Sequence, residues 1–434
     1  MRIWPDLFVF EKFGYIKNIF SGFGIRDILT CISHFFQDMV TVNEAKQKII
    51  ANVKALSAQS VDVRNALGHV LADDILAPMS LPSFRQSSMD GYAVVDTDIS
   101  EKDTILKLSG ESKAGQINTQ TLISGSAMRI FTGAPVPEGA TAVVMQENTS
   151  SENGTITIHE FPVQAGKNVR NIGQQIRKGA IALEKGTFLS PGSIGFLQGM
   201  NIWEASVHKK PKVGLLITGD ELLHKGDSIV HGKIFESNSA MLAAALQKEG
   251  IADLEIKYAE DDLESTINGL HELAENNDVV LASGGISVGD YDFVGKAVEA
   301  VGAETIFYKV RQKPGKPLLF AKRRDKLFFA LPGNPASSLV CYYEYVLPAL
   351  RILSGRKDPF LTTLKMPAKL AYSFHGERDE FLKGLIVNGE VTPLDGQESF
   401  ALRSFAIANA IIYLPVEQNS VKEGDLVEVH LLPF

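Results

Sequence analysis

A glycine-rich segment of the chain has residue types suited to binding an anion. Residues 282–290 read Ala-Ser-Gly-Gly-Ile-Ser-Val-Gly-Asp and follow a short apolar run. Backbone N–H groups beside adjacent glycines bind phosphate-like anions, and serine hydroxyls add donors. We therefore predict an anion-binding loop that uses Ser283, Gly284, Gly285 and Ser287. A tight turn that needs glycine for a positive φ would explain the two glycines equally well.

A local excess of positive charge follows that loop. Eight basic residues and one acid lie between Tyr308 and Lys326, in a chain whose net charge is −8. The segment Lys-Pro-Gly-Lys-Pro holds Lys313 and Lys316 in a turn stiffened by proline, which suits a small anion. We expect the second part, Lys322–Lys326, to be a solvated hairpin tip without a function.

The segment 331–338, Leu-Pro-Gly-Asn-Pro-Ala-Ser-Ser, predicts the start of a helix. Pro335 suits the first helical position and Asn334 suits the N-cap. Ser337 would then lie in the first turn, where an oxyanion is favoured. Helix initiation accounts for most of this pattern, but Pro332 and Pro335 also fix the direction of the turn, which favours a binding role.

Four carboxylates are predicted to lie close to these loops. Asp220 and Glu221 follow the apolar run Val213–Thr218, and Asp290 and Asp292 follow the glycines. Carboxylates brought together repel one another unless a cation joins them, and oxygen ligands beside a phosphate suit Mg²⁺. Each acid alone would be explained as a helix cap or a solvated side chain.

Alternating strands and helices are expected to position these loops. Strands that are apolar on both faces and alternate with helices indicate a mostly parallel sheet covered on both sides, with ligands beyond the carboxyl ends of the strands. The loops after Thr218, Ala282 and Leu331 are therefore expected to share one edge. The predicted strands are Val213–Thr218, Leu254–Tyr258, Val279–Ala282 and Leu327–Leu331, and the predicted helices are Ser237–Lys248, Leu263–Glu275, Asp292–Ala300 and the segment from Pro335 to about Ser354.

The fold class predicted from these patterns is multidomain α/β. A three-layer α/β/α domain spans residues 211–355, and a C-terminal β-barrel-like domain spans 356–434. A mixed N-terminal domain is formed by residues 39–80 together with 180–210, and it encloses a β-rich domain at 81–179. Within the mixed domain we expect amphipathic helices at residues 41–56 and Val61–Leu71.

Composition excludes several classes of protein. An acidic chain does not favour nucleic-acid binding, and two cysteines exclude a disulfide scaffold and a Cys₄ zinc site. No apolar run reaches the roughly 20 residues of a membrane helix. We therefore expect a soluble, cytoplasmic protein that binds neither nucleic acid nor membranes.

Residues 1–38 differ from the rest of the chain. Seven of the 24 phenylalanines lie here among charged residues, without the clean apolar core of a signal peptide. The sequence from Met39 onward reads like a natural start. We expect the arm to be a start-site artefact or a poorly ordered extension, with a packing segment as the alternative.

Several short motifs, taken in order, identify a family. The chain resembles the molybdopterin molybdenumtransferases, bacterial enzymes of the last step of molybdenum cofactor synthesis that are related to the E domain of gephyrin. The resemblance runs from about residue 40 to the C-terminus. The matching motifs are Ser88–Ala93 (SMDGYA), Phe131–Pro137 (FTGAPVP), Thr218–Leu222 (TGDEL), Ser283–Gly289 (SGGISVG), Lys313–Pro317 (KPGKP) and Pro332–Pro335 (PGNP).

The resemblance implies an elongated homodimer of four-domain subunits with the active site at the subunit interface. Such enzymes take molybdate and adenylylated molybdopterin, insert molybdenum into the dithiolene, and release AMP with the help of Mg²⁺. The upstream molybdopterin adenylyltransferase is an expected partner. By matching motifs, Asp220, Glu221 and Asp292 would be catalytic, with Asp90 and Thr132 lent across the dimer.

The same matches assign further roles. Asp220, Asp292 and Asp290 would hold the metal, although a Glu is common in the family where Asp290 stands. Lys313 and Lys316 would bind the oxyanion. The other expected ligand-binding residues lie in the glycine loop and the segment before the last helix: Ser283, Gly284, Gly285, Ser287, Pro332, Asn334, Pro335 and Ser337.

One motif departs from the family. Where its members often read Gly-Glu-Asp-Ile near the end of the β-rich domain, this chain has Gly173-Gln174-Gln175-Ile176. Two amides replace two acids, so a carboxylate role at these positions does not carry over.

Two other functions stay open at this point. The upstream adenylyltransferase has a catalytic domain that resembles residues 212–354, but it would leave Asp90, Thr132 and the C-terminal domain unexplained. A non-catalytic scaffold of the gephyrin E-domain type is the other alternative.

Overall fold

The computed structural model describes residues 39–116, 120–286, 293–373, 376–418 and 420–433. The predicted arm at 1–38 and the predicted site residues Ser287, Asp290 and Asp292 lie outside these ranges. The chain divides into two compact units, one of residues 58–207 and one formed by the segments before and after it. Within the described ranges, no helix combines the length and the apolar character needed to cross a membrane.

The first helix, α1 (Val42–Asn52), begins at a capping box. The Thr41 hydroxyl accepts the N–H of Glu44, and the Glu44 carboxylate accepts the N–H of Thr41. Val42, Ala45 and Ile49 form its buried face. The helix ends four residues earlier than predicted because Val53 is extended.

The unit at 58–207 is rich in short strands. Its elements are β1 (Ala58–Asp62), β2 (Ile75–Leu76), β3 (Gln86–Ser87), β4 (Gly91–Val94), β5 (Thr104–Ser112), β6 (Ser126–Ile130), β7 (Ala142–Met145), β8 (Thr149–Glu152), β9 (Thr155–Ile158), β10 (Val169–Arg170), β11 (Ile181–Leu183), α2 (Pro191–Gly199) and β12 (Glu204–His208). The main sheet has the order β7-β4-β6-β5-β9-β8, and the pairs β1–β12, β2–β11 and β3–β10 form small ribbons.

The helix predicted at Val61–Leu71 is wrong. The segment continues β1 into a single 3₁₀ turn, because the Asp62 side chain accepts the N–H of Arg64 and closes the chain locally. Gly68, with φ of +75°, then turns the backbone away from a helix.

The next region contains the predicted parallel sheet. Its elements are β13 (Val213–Thr218), β14 (Leu222–Leu223), β15 (Ile234–Phe235), α3 (Asn238–Lys248), β16 (Leu254–Ala259), α4 (Leu263–Asn276), β17 (Val279–Ser283), α5 (Phe293–Ala300), β18 (Glu304–Tyr308), β19 (Gln312–Lys313), β20 (Leu319–Arg323), β21 (Lys326–Leu331), α6 (Pro335–Cys341), a π-helical segment (Tyr342–Val346) and α7 (Leu347–Leu353). Strands β16, β13, β17 and β21 lie side by side and parallel, and β20 and β18 extend the sheet antiparallel.

Helices cover both faces of this sheet, which confirms the three-layer α/β/α prediction. Leu215 and Ile217 of β13 pack in one core cluster with residues of α3 and α6. Leu216, between them, packs in a second cluster with residues of α4 and α5. Alternate side chains of a strand point to opposite faces of the sheet. A strand that is apolar at every position therefore indicates a sheet that is covered on both faces.

The basic tip at Lys322–Lys326 is more than a solvated hairpin. The Lys322 ammonium donates to the carbonyl of Asn52, and the Lys326 ammonium donates to the carbonyl of Asn277. Arg323 donates to the carbonyl of Val301. These carbonyls lie at the C-terminal ends of α1, α4 and α5, where cations are favoured. The local charge reversal therefore stabilises three helix ends.

The C-terminal region forms a half-barrel sheet. Its elements are β22 (Thr363–Pro367), β23 (Tyr372–Ser373), β24 (Asp379–Val387), β25 (Glu390–Pro393), β26 (Ala410–Leu414), β27 (Ser420–Val421) and β28 (Leu426–Leu431). The strand order is β19-β24-β26-β28-β22, and β25 pairs with β24. The outer strand β19 comes from the lysine turn of the α/β region, so the two regions share this turn.

A buried charge network joins α1, the π-helical segment and β28. The Glu344 carboxylate is 2.6 Å from the Lys46 ammonium and 2.7 Å from His430 Nδ1, and the other ring nitrogen is 3.2 Å from Glu428. Burial disfavours the charged imidazole, but Glu344 and Glu428 outweigh it, so the pKa of His430 is raised. Burial also opposes ionisation of Glu344, but Lys46 and His430 hold its pKa at about 2.

This network predicts a pH-dependent stability. A raised His430 pKa contributes stability that is fully present below the unfolded value of about 6.5 and is lost as pH rises through the folded pKa. We expect His430→Gln to lower the free energy of unfolding by roughly 3 kcal/mol at pH 6 and by less at pH 9. Urea denaturation at both pH values measures this. An equal loss at the two pH values would show that His430 is not protonated in the folded state.

Candidate active site

Three predicted loops meet at one edge of the parallel sheet. Strands β13, β17 and β21 are neighbours in register, so the loops after Thr218, Ser283 and Leu331 leave from the same side. Gly284 has a φ of +100°, and a Cβ there would lie 2.2 Å from the carbonyl oxygen of Thr218. A Cβ on Gly333 would lie 3.7 Å from the Cα of Gly284. We call this edge the rim.

Asn238, which was not among the predicted site residues, connects two of the rim loops. Its side-chain amide donates to the Ser283 hydroxyl and to the Gly333 carbonyl, each at 2.8 Å. Asn238 is the first residue of α3. A polar residue at a helix start that faces strand ends was the available signal, but a capping role explained it equally well.

The carboxylates at the rim include one that was not predicted. Asp220 and Glu221 are exposed, and the Asp220 carboxylate accepts the N–H of Asp261 at 3.3 Å. Burial first, and then the charges of Asp220, Glu221 and Asp262, raise the pKa of Asp261. Asp261 follows β16, the fourth parallel strand. Because ligands lie beyond the carboxyl ends of parallel strands, Asp261 could have been predicted as a site residue as well.

Three oxygen atoms at the rim lack a partner among the described residues. They are Thr218 Oγ1, Asp261 Oδ1 and Asn238 Oδ1, all buried. A Cβ on Gly285 would lie 2.9 Å from Thr218 Oγ1 and 3.5 Å from Asp261 Oδ1, so two of them face the glycine loop. Buried polar atoms without a partner indicate a missing water, ion or ligand.

These oxygens fit Mg²⁺ by chemistry, since Mg²⁺ prefers carboxylates together with water and substrate oxygens. Across the described ranges, no three acidic, histidine or cysteine side chains form a preformed metal site. Of the predicted metal ligands, the structure describes Asp220 alone, and it adds Asp261 beside it.

The two lysines of the Lys-Pro-Gly-Lys turn have different surroundings. The Lys313 ammonium pairs with the buried Glu380 carboxylate at 3.0 Å. Lys316 is partly buried, and burial, followed by the charges of Arg378 and Lys309, lowers its pKa. Arg378 and Lys309 therefore both act against the charged form of the Lys316 ammonium.

The segment before α6 contacts the C-terminal region. Asn334 is the N-cap residue of α6, as predicted, but its side chain makes no capping hydrogen bond, and its amide instead donates to the Ser399 hydroxyl at 2.9 Å. Pro335 begins the helix, as predicted. The Ser337 N–H donates to the Ser399 carbonyl at 3.2 Å, and Pro332 and Ser337 are buried.

A buried lysine shapes the loop that carries Ser399. Lys383 is only 1% exposed, and its ammonium donates to the carbonyls of Gly396, Glu398 and Ala401. Three carbonyls around one buried ammonium satisfy all of its donors. Neither Ser399 nor Lys383 was predicted, because their role depends on contacts between residues distant in sequence.

Asp90 and Thr132 lie together in the unit at 58–207. The Asp90 carboxylate accepts the N–H of Thr132 at 2.7 Å, and the hydrogen bonds from Thr132, followed by the charge of Arg129, lower the pKa of Asp90. The Arg129 guanidinium lies over the rings of Tyr92 and Phe131. Both predicted residues are exposed, so the pair presents a carboxylate and a hydroxyl at the surface of this unit.

The two amides that replace the family's acids line a cleft of the same unit. The cleft has a volume of about 540 Å³ and is lined by Leu81, Pro82, Gln86, Arg170, Gln174 and Gln175. Gln174 accepts the N–H of Asn171 at 2.9 Å, which closes the local turn. This lining carries a positive charge where carboxylates would have made it negative.

Comparisons with known protein families cover nearly the whole of residues 40–432. Residues 40–200 match the MoeA N-terminal region (domain I and II), residues 214–352 match a probable molybdopterin binding domain, and residues 365–432 match the MoeA C-terminal region (domain IV).

Similar proteins span almost the same length. A molybdopterin molybdenumtransferase from Haemophilus influenzae is 34% identical over 408 residues, which are 91% of this chain and 99% of that protein. One from Staphylococcus aureus is 32% identical over 90% of this chain and 95% of that protein.

Solved structures agree with this. A molybdopterin biosynthesis MoeA protein from Pyrococcus horikoshii OT3 is 27% identical, with a TM-score of 0.80 over 91% of this chain and the whole of that one. A second structure from the same organism has a TM-score of 0.76 at 29% identity. From its N-terminal helix to its last strand, the chain belongs to the MoeA family of molybdopterin molybdenumtransferases.

Proposed function

We propose that this protein transfers molybdenum from molybdate to adenylylated molybdopterin and releases AMP, in the final step of molybdenum cofactor synthesis. The observation that carries the proposal is the meeting of three loops at the rim, where three buried oxygens have no partner among the residues that the structure describes. The names of the similar proteins support the reaction. Both reactants are anions, which suits the glycine loop and the cationic surroundings of Lys316.

The residues of the proposed site divide into two groups by charge. Lys316, the backbone N–H groups of Gly284 and Gly285, and the Ser283 and Ser337 hydroxyls bind the anions. Lys313, Pro332, Asn334 and Pro335 shape this side, and Lys313 does so while paired with Glu380. Ser287 belongs to the same proposal.

The second group recruits a cation. Asp220 and Asp261 hold Mg²⁺ in this proposal, with Asp290, Asp292 and Glu221 close to it. When bound, Mg²⁺ stabilises the charge that develops on the phosphate oxygen of the departing AMP. Asp220 and Asp261 contribute by keeping their oxygens aimed at one place, despite the repulsion between them.

A homodimer completes the site in this proposal. Asp90 of the partner subunit and Thr132 of the partner subunit face the rim, which follows the family expectation for the β-rich domain. The boundaries of the four domains stay a prediction, as do a cytoplasmic location and a functional contact with the upstream adenylyltransferase.

The alternative functions account for less of the chain. An adenylyltransferase would use the region matched at 214–352, but the matches at 40–200 and 365–432 extend well beyond it. Incubation of the purified protein with adenylylated molybdopterin, molybdate and Mg²⁺ tests the proposal. AMP release that depends on molybdate supports it, whereas ATP-dependent adenylylation of free pterin, or inertness in both assays, contradicts it.

Asp220→Asn is predicted to lower molybdate-dependent AMP release by about 10²-fold or more, because the metal loses a charged ligand. Asp325→Asn is the matched control, since Asp325 is an exposed acid in the turn before β21, at the opposite end of that strand. Steady-state AMP release measures both variants, and thermal unfolding checks the fold. Turnover within twofold of the wild type would remove Asp220 from the mechanism.

Lys316→Ala is predicted to raise the molybdate concentration for half-maximal AMP release by about 10- to 100-fold, as expected for loss of a charged hydrogen bond of roughly 1.5–3 kcal/mol. Half-saturation by the pterin should change less. Lys248→Ala, an exposed lysine at the far end of α3, serves as the control. Equal weakening towards both substrates would mean that Lys316 binds only the phosphate of the pterin.

A further inference from the structure

A buried glutamine holds the Lys-Pro-Gly-Lys turn from inside the protein. The Gln312 side chain is fully buried, and its amide nitrogen donates to the carbonyls of Pro314 at 3.1 Å and Gly315 at 3.2 Å. Its amide oxygen accepts the hydroxyl of Tyr345, which is also fully buried. The amide nitrogen of Gln312 therefore holds the backbone of the turn, and its amide oxygen is held in turn by Tyr345.

The turn packs tightly against the helix below it. Gly315 has a φ of +84°, and a Cβ there would lie 2.6 Å from Cys341 Sγ and 2.9 Å from Gln312 Nε2. The N–H of Val310 closes the turn by donating to the carbonyl of Lys316 at 3.0 Å. Contacts this close leave the turn little room to shift.

The helix presents one face to the turn. Ser337, Cys341 and Tyr345 are spaced four residues apart, and the Ser337 carbonyl and Cys341 thiol both lie near Gly315. Tyr345 belongs to the π-helical segment Tyr342–Val346. π-helical turns re-aim side chains within a continuous helix. Here the segment presents Tyr345 to the turn and the neighbouring Glu344 to Lys46 and His430.

The hydrogen-bond roles allow one orientation of the Gln312 amide. Burial raises the pKa of Tyr345 well above its ordinary value, so its hydroxyl stays protonated. The two turn carbonyls can only accept, so the amide nitrogen must face them. A flipped amide would place its oxygen against two carbonyl oxygens, which is repulsive.

We propose that Gln312 and Tyr345 are positioning residues for Lys316, because together they fix the backbone of the turn that carries this lysine. Arg378, one of the cations near Lys316, donates to the Gln312 carbonyl at 3.4 Å, so the same residue also connects the turn to a second cation. The identity of the anion, molybdate, rests on the proposed function.

Tyr345→Phe tests the proposal, with Tyr342→Phe as a matched control. Tyr342 lies in the same helical segment, is equally buried, and its hydroxyl has no partner within the described residues. We expect Tyr345→Phe to raise the molybdate concentration for half-maximal AMP release about threefold to tenfold, with half-saturation by adenylylated molybdopterin changed less than twofold. Tyr342→Phe should change neither.

Gln312→Met keeps the volume of the side chain and removes both donors to the turn. It should shift the half-saturating molybdate concentration further than Tyr345→Phe does. If Gln312→Met does not fold, Tyr345→Phe alone decides. A variant that loses active enzyme but keeps the wild-type half-saturation for molybdate would show a purely structural role and overturn the proposal.

Hydrogen exchange separates this proposal from the proposed function. We expect the amides in a peptide covering residues 309–318 to exchange about tenfold faster in Tyr345→Phe and Gln312→Met than in the wild type or Tyr342→Phe. This readout needs no turnover. If the wild type releases no AMP, the proposed function is wrong while the exchange result still decides the positioning role. Equal exchange in all four proteins would overturn it.

Discussion

The arrangement of the rim depends on the close approach of the Gly284 backbone to the carbonyl of Thr218. No side chain fits between β17 and β13 at this point, since a Cβ would lie 2.2 Å from that carbonyl. The contact brings the end of one parallel strand against the next, and Gly333 continues it to the third. Backbone N–H groups, hydroxyls and carboxylates from distant parts of the sequence thereby come together at one place.

Two charge environments result, and they differ in how they are stabilised. Burial, followed by the charges of Asp220, Glu221 and Asp262, raises the pKa of Asp261 at the end of the sheet, and one of its carboxylate oxygens has no partner among the described residues. The pKa of Lys316 is instead lowered, by burial first and then by repulsion from Arg378 and Lys309. Such repulsion costs stability in the free protein, and a cation on one side and an anion on the other relieve it. A site of this kind is more stable with its ligands bound.

Much of this could be predicted from the sequence because the signals are local. The apolar runs of β13, β17 and β21 predicted the parallel sheet. Since the carboxyl ends of parallel strands share one edge, the three loops that follow them were expected together. Asp261 was missed although the same rule applies after β16. The helix at Val61–Leu71 was wrong because the Asp62 cap and Gly68 outweigh a weak apolar period.

Other features arise only from tertiary contacts. Asn334 has the residue type and position of a helix cap, but Ser399 from the C-terminal region accepts its amide instead. Lys383 and Gln312 are polar residues that look exposed in sequence and are buried because carbonyls converge on them. The basic tip at Lys322–Lys326 stabilises helix ends that are distant in sequence.

Diffraction at the molybdenum absorption edge, from a crystal of the protein soaked with molybdate, shows whether the rim and Lys316 bind this anion together. Anomalous scattering locates the metal without reference to a ligand model. We expect a molybdenum peak at the rim, in contact with the Lys316 ammonium and close to Ser337. A fully occupied peak elsewhere, with no density near Lys316, would contradict this expectation.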